Sequence, residues 1–192
     1  MEQIRSFIAI ELPPEVRQAL TGLQAKLKAG DGRQVKWVEP ENMHLTLQFL
    51  GNIDAGIVDN IASAIRQAAI GTHPFQLEVG GLGVFPNTQR VSVIWVGLTG
   101  DMEKLVGLQK SIGANLAPLG FKPETRPFTP HLTLGRVKDY CRPPERAALG
   151  QVIARTAFNN KYRVTVTAVN LMQSRLTREG PIYSRLAAVV LK

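Results

Sequence analysis

The chain has 192 residues, 44% hydrophobic and 20% charged, which allows one sizeable core and excludes a disordered or fibrous protein. A formal net charge of +8, with a pI near 10.0, favours an anionic partner such as nucleic acid or a nucleotide, although the basic residues are scattered rather than massed. A single cysteine, Cys141, excludes an internal disulfide, no apolar run reaches the ~20 residues that span a bilayer, and Met1-Glu2-Gln3-Ile4-Arg5 lacks a signal peptide's layout, so a cytoplasmic protein off the membrane is expected.

Arg5 to Leu12 is rich in strand formers and stops at Pro13-Pro14, where proline removes a ladder donor. Pro14 suits the first turn of a helix, and Val16, Leu20, Leu23 and Leu27 continue at helical spacing until Gly30 to Gly32. Val35 to Val38 reads as a short strand. Pro40-Glu41-Asn42 leads into a second strand, Met43 to Leu50, closed by Gly51-Asn52. Asp54 is placed to cap a helix carrying Ile57, Ile61, Ile65 and Ala68. Phe75 to Val79 alternates like a half-buried strand. Gly80-Gly81-Leu82-Gly83 follows without the lysine-serine or lysine-threonine pair of a nucleoside-triphosphate loop, so a bend or bulge is expected.

Arg90 to Val96 reads as the next strand. Asp101 is placed to cap a helix that turns Leu105, Leu108, Ile112 and Leu116 inward and closes at Gly120. Arg126-Pro127-Phe128-Thr129-Pro130 holds the chain extended before a strand that starts at His131. Pro143 to Arg155 reads as a helix and Tyr162 to Gln173 as one long strand. Thr177-Arg178-Glu179-Gly180 turns the chain into a last strand, Ile182 to Leu191. The order predicts an α+β fold: two similar antiparallel-sheet lobes with helices on their outer faces and a central cleft, counted as one bilobed domain over 1–192 because no linker separates them.

Two of the three histidines open the same tetrapeptide, His44-Leu45-Thr46-Leu47 and His131-Leu132-Thr133-Leu134. Alternation along a strand puts His44, Thr46 and Gln48 on one face and Met43, Leu45, Leu47 and Phe49 on the other. The second copy likewise turns His131 and Thr133 away from Leu132 and Leu134. A lone strand histidine is more often structural than catalytic, and threonine is simply a good strand former. Packing, however, requires only the leucines, and not the same polar pair twice.

Across a shared cleft, two imidazoles can take and give protons near neutral pH while two hydroxyls hydrogen-bond an anion. Such a site suits phosphodiester chemistry. One neutral ring removes a proton from the attacking oxygen and one imidazolium protonates the leaving oxygen, with ring nitrogens roughly 5–8 Å apart. Neither motif contains the Asp or Glu that would complete a three-ligand zinc site. No metal or other cofactor is therefore expected. A threonine nucleophile would lack a dedicated orienting acid. Trp37, Phe49 and Trp95 are able to stack a base, but aromatics in strands are expected in the core, and His73 reads as a loop residue.

These motifs sit in Arg5-to-Pro13, Pro40-to-Gly51, Arg126-to-Arg136 and Ser174-Arg175-Leu176, and nearly the whole chain resembles the 2H phosphoesterase superfamily, in its prokaryotic RNA 2′,3′-cyclic phosphodiesterase branch, also called 2′-5′ RNA ligase. The resemblance implies metal-independent opening of an RNA terminal 2′,3′-cyclic phosphate to a 2′-phosphate, with 2′-5′ ligation as the reverse. It implies His44 as proton donor, His131 as proton acceptor, Thr46 and Thr133 as phosphate-binding residues, and Arg136 as a nucleotide contact. Simple alternation puts Arg136 on the leucine face instead, unless Gly135 opens a bulge. The expected partners are RNA ends or 2′,3′-cyclic nucleotides, met by a monomer. The competing reading is a non-catalytic nucleotide or RNA binder on the same fold.

Overall fold

Proline punctuation starts the chain as expected: strand β1 (Gln3–Glu11) stops before Pro13-Pro14, and helix α1 (Pro14–Asp31) begins on the second proline. The computed structural model describes residues 2–122, 127–178 and 180–192. Met1, Arg126 and Glu179, named above, lie outside the described residues. Val16, Leu20, Leu23 and Leu27 form a fully buried stripe along α1. Strands β2 (Val35–Trp37) and β3 (His44–Asp54) follow, then helix α2 (Val58–Ala68). Asp54 caps a short 3-10 turn by accepting the Gly56 amide at 2.8 Å, so the helix proper starts just after Ile57.

Strand β4 (Phe75–Phe85) runs through the glycines as a bulge, with Gly81 at φ 76 and the register slipping between Val79 and Leu82. β5 (Val93–Gly100) and α3 (Met102–Leu116) come next, with Leu105, Leu108, Ile112 and Leu116 buried. Asp101 does not cap α3 with its side chain. Its carboxylate instead accepts the Gln76 amide at 3.0 Å and Lys104 Nζ at 3.3 Å, fastening the helix start to β4. β6 (His131–Val137) and α4 (Pro143–Arg155) follow.

The expected single strand from Tyr162 breaks at Thr167 into β7 (Tyr162–Val166) and β8 (Ala168–Leu176), and β9 (Pro181–Val190) turns back along β8. The break has a topological cause. β7 pairs with β4 and β8 with β1, so the chain crosses between sheet halves at Thr167, whose carbonyl accepts the Leu191 amide at 2.9 Å.

Among the described residues the strands form one antiparallel sheet in the order β7-β4-β5-β6-β3-β1-β8-β9, with β2 added beside β6. Its two four-strand halves are joined where β3 meets β6. They are not the two sequence halves: β1 and β3 are completed by the C-terminal β8 and β9. Helices α2 and α3 pack together behind β3-β1-β8-β9, and α1 and α4 cover the β7-β4 side. One continuous buried cluster, from Ile4 to Leu191, fills the space between sheet and helices. The opposite face carries a small apolar cluster, Phe7, Ala9, Met172 and Tyr183, and stays open. No helix among the described residues is long and apolar enough to cross a membrane.

Candidate active site

The two tetrapeptides meet at the middle of the sheet. β3 and β6 are antiparallel neighbours with Leu45 paired to Leu132, and both leucines are buried at 1% exposure. Carried one residue either way, this register sets His44 across from Thr133 and Thr46 across from His131. The two imidazoles are then diagonal neighbours, a relation in which residues lie about 7–8 Å apart and their Cβ atoms somewhat closer. All four side chains line a cleft of ≈ 920 Å³ on the open face.

Each imidazole is held the same way. His44 Nδ1–H donates to the Asn42 carbonyl at 2.7 Å and His131 Nδ1–H donates to the Thr129 carbonyl at 2.7 Å. A carbonyl can only accept, so the proton is on Nδ1 and Nε2 remains for chemistry in the cleft. Aromatic walls flank both rings. Phe7 stacks on His44 with centroids 4.7 Å apart, and Tyr183 meets it edge-on at 5.3 Å. Phe85 meets His131 edge-on at 5.0 Å and Trp95 lies 6.5 Å away. Burial among these walls lowers the His44 pKa below the ordinary histidine value, against the opposing pull of its Asn42 hydrogen bond and of Glu11.

Both motif strands carry the same bulge, three residues past the histidine. Ile8 pairs with Gln48 but Ala9 with Thr46, so Leu47 is the extra residue; Ile94 pairs with Gly135 but Trp95 with Thr133, so Leu134 is the extra one. Each bulge inverts the alternation beyond it. Leu47 and Gln48 are both buried, and so are Leu134 and Gly135, which corrects the expectation that Gln48 shares the open face of His44 and Thr46. Phe49 and Arg136, five residues after their histidines, therefore turn out into the cleft. Phe49 is 67% exposed, which corrects the expectation that it lies with the leucines. Arg136 likewise leaves the leucine face on which simple alternation put it, by a bulge at Leu134, the residue before Gly135.

Glycine is required at that bulge by contact. A Cβ on Gly135 would stand 2.5 Å from Val35 Cγ1 and 3.1 Å from Trp37 Cε3, side chains of β2, the strand paired beside it. Gly135→Ala is expected to cost about 1–3 kcal/mol of stability through overpacking. Urea denaturation of the variant beside the wild type checks this.

The cleft is cationic. Arg5, Lys122 and Arg136 line it, and no Asp or Glu does among the described residues. Burial raises the Tyr183 pKa, with Arg136 and Arg5 acting in the opposite sense. Among the described residues no group of three His, Cys, Asp or Glu side chains is placed to hold a metal ion.

Simple alternation found the histidines and threonines but missed Phe49, Trp95, Phe85, Tyr183 and Arg5. The one local signal was Gly135 beside Arg136; nothing local marked the others. Trp95 is half-buried and outside the main buried cluster, with its ring 6.5 Å from that of His131 and packed on Gly83, where a Cβ would come within 2.3 Å of it. Trp37 does pack against the core, and His73 is exposed before β4, both as expected.

Comparison with known proteins gives consistent results. The LigT-like phosphoesterase family matches the chain twice, over residues 10–95 and 96–183, one motif in each match. The chain is 37% identical over 182 residues to an RNA 2′,3′-cyclic phosphodiesterase of Methanothermobacter thermautotrophicus, covering 95% of this chain and 96% of that protein. It is 36% identical to a protein of the same name from Aeropyrum pernix, over 88% of this chain and 96% of that one. In fold it is similar to E. coli LigT in complex with 3′-AMP, with a TM-score of 0.80 at 25% identity over 100% of this chain and 99% of that chain.

Proposed function

The chain belongs to the LigT-like phosphoesterase family, and from that membership and its paired imidazoles we infer that it hydrolyses RNA terminal 2′,3′-cyclic phosphates to 2′-phosphomonoesters. The observation that carries the reading is the doubled cradle. Two rings, each with Nδ1–H tied to a carbonyl two residues back, share one cationic cleft.

His131 Nε2 takes a proton from water as the water oxygen bonds to phosphorus. The bond from phosphorus to O3′ breaks in line, and His44 Nε2 delivers its proton to O3′. The products are a 2′-phosphate and a free 3′-hydroxyl. The hydroxyls of Thr46 and Thr133 bind the non-bridging oxygens as charge builds on them. Arg136 contacts the nucleotide, and Phe49 offers its exposed ring to a base. A lowered pKa makes His44 a readier donor, and the substrate's own negative charge offsets the burial that disfavours its protonated form. The enzyme acts as a cytoplasmic monomer, and the continuous core beneath both sheet halves supports counting 1–192 as one bilobed domain.

The test is a defined oligonucleotide ending in a 2′,3′-cyclic phosphate, incubated with excess chelator and followed by 31P NMR. A 2′-phosphate is expected at an undiminished rate. No turnover, a 3′-phosphate, or turnover only after metal is restored would overturn the reading.

A further inference from the structure

The two halves of the site repeat each other in motif, in bulge and in ring hydrogen bond, and nothing in that repetition tells one imidazole from the other. One cross-strand pair breaks the likeness. The residue across from His44 on β1 is Glu11, whereas the residue across from His131 on β5 is Gly97. Directly opposed residues on one face of an antiparallel pair have Cβ atoms about 4.5–5.5 Å apart, close enough for a carboxylate to act on an imidazole. Phe7, Ala9 and Glu11 alternate along one face of β1, and Phe7 stacks on His44, so Glu11 shares the ring's face.

The Glu11 carboxylate is itself anchored. Its Oε2 accepts Asn170 Nδ2 at 2.7 Å and is ion-paired with Arg185 from β9. Gly97 has no such option: a side chain there would press on the Gly80 carbonyl, 3.2 Å from its Cβ.

We propose that Glu11 is a positioning residue that marks His44, and not His131, as the proton donor of this doubled site. The proposal rests on the hydrolase reading for its chemistry. The other charged and titratable groups about His44 do not compete for that role. Tyr183 from β9 is a neutral phenol, Arg5, Arg136 and His131 line the cleft, and Arg185 is engaged with Glu11. Glu41, on the turn before β3, is exposed. Among the described residues Glu11 is the one anion in cross-strand register with an imidazole, and its field favours the charged form of His44 against the burial that opposes it.

The experiment titrates the ring protons of both histidines by NMR in the wild type, Glu11→Gln and Arg185→Ala, and records kcat/KM against pH on a 2′,3′-cyclic nucleotide. Glu11→Gln removes the negative charge but keeps an acceptor for Asn170 and Arg185. The His44 midpoint should fall while that of His131 stays in place. Less His44 is then protonated on the alkaline side, so the rate loss should grow with pH, to about threefold or more near pH 8, and vanish on the acid side. Arg185→Ala removes a positive charge and should move the His44 midpoint the opposite way.

Equal movement of both rings, no movement of His44, or a rate loss of the same size at every pH would overturn the proposal and leave Glu11 a structural residue. The ring titrations need no turnover. An inactive wild-type protein therefore overturns the hydrolase reading alone, while the midpoints still show whether Glu11 acts on His44.

Discussion

His44→Ala and His131→Ala should each lower kcat on a 2′,3′-cyclic nucleotide by about a thousandfold or more, while circular dichroism and the melting curve stay near wild type. A positioned general acid or base is worth about 10²–10⁴ in rate, and the proposed site uses one of each in the same displacement. Water is a poor substitute for His131 as base, and an unprotonated O3′ is a poor leaving group without His44. Because the two rings act in one step, the double variant should be little slower than either single one.

The fold should survive because neither ring belongs to the main buried cluster. His44 does stack on Phe7, so its removal should cost more stability than removal of His131. Steady-state kinetics beside urea denaturation separates the two effects. Retained turnover in either variant, with stability intact, would move the chemistry elsewhere in the cleft.

What could be read from residues alone stopped at a definite physical boundary. The tetrapeptides were readable because each reaches its bulge only at its last residue: from His44 to Leu47 and from His131 to Leu134, simple alternation holds. Beyond them the pairing partner decides. Whether Phe49 faces core or cleft depends on Leu47 having no partner on β1, which is a tertiary fact. Arg136 was the exception, because a glycine beside it is a local hint of irregular pairing.

Thr167 could not be recognised as a break, since Val164, Val166 and Ala168 alternate straight across it and only the exchange of partners from β4 to β1 divides the run. The same exchange makes the spatial halves differ from the sequence halves. It brings Tyr183 to His44 and Arg185 to Glu11, contacts that no reading of either repeat in isolation would anticipate. Glu11 itself looked like the last residue of a strand before two prolines. Its alternation with Phe7 and Ala9 was visible, but its neighbour His44 was not.

Thr46→Val and Thr133→Val should each lower kcat by about a hundredfold with KM little changed. Valine keeps the branched shape that suits a strand, so each substitution removes a hydroxyl and little else. A preorganised donor aimed at developing negative charge is worth about 10²–10³ in rate, more than the same donor contributes to binding a ground-state monoanion.

The register adds a sharper expectation. Thr133 stands across from His44 and Thr46 across from His131, so each hydroxyl neighbours the ring of the other motif. If the two hydroxyls hold the two non-bridging oxygens symmetrically, the two variants should lose rate to a similar extent. Loss in KM alone would instead mean that the hydroxyls bind substrate and transition state equally, and loss confined to one variant would mean that the phosphate lies toward one strand.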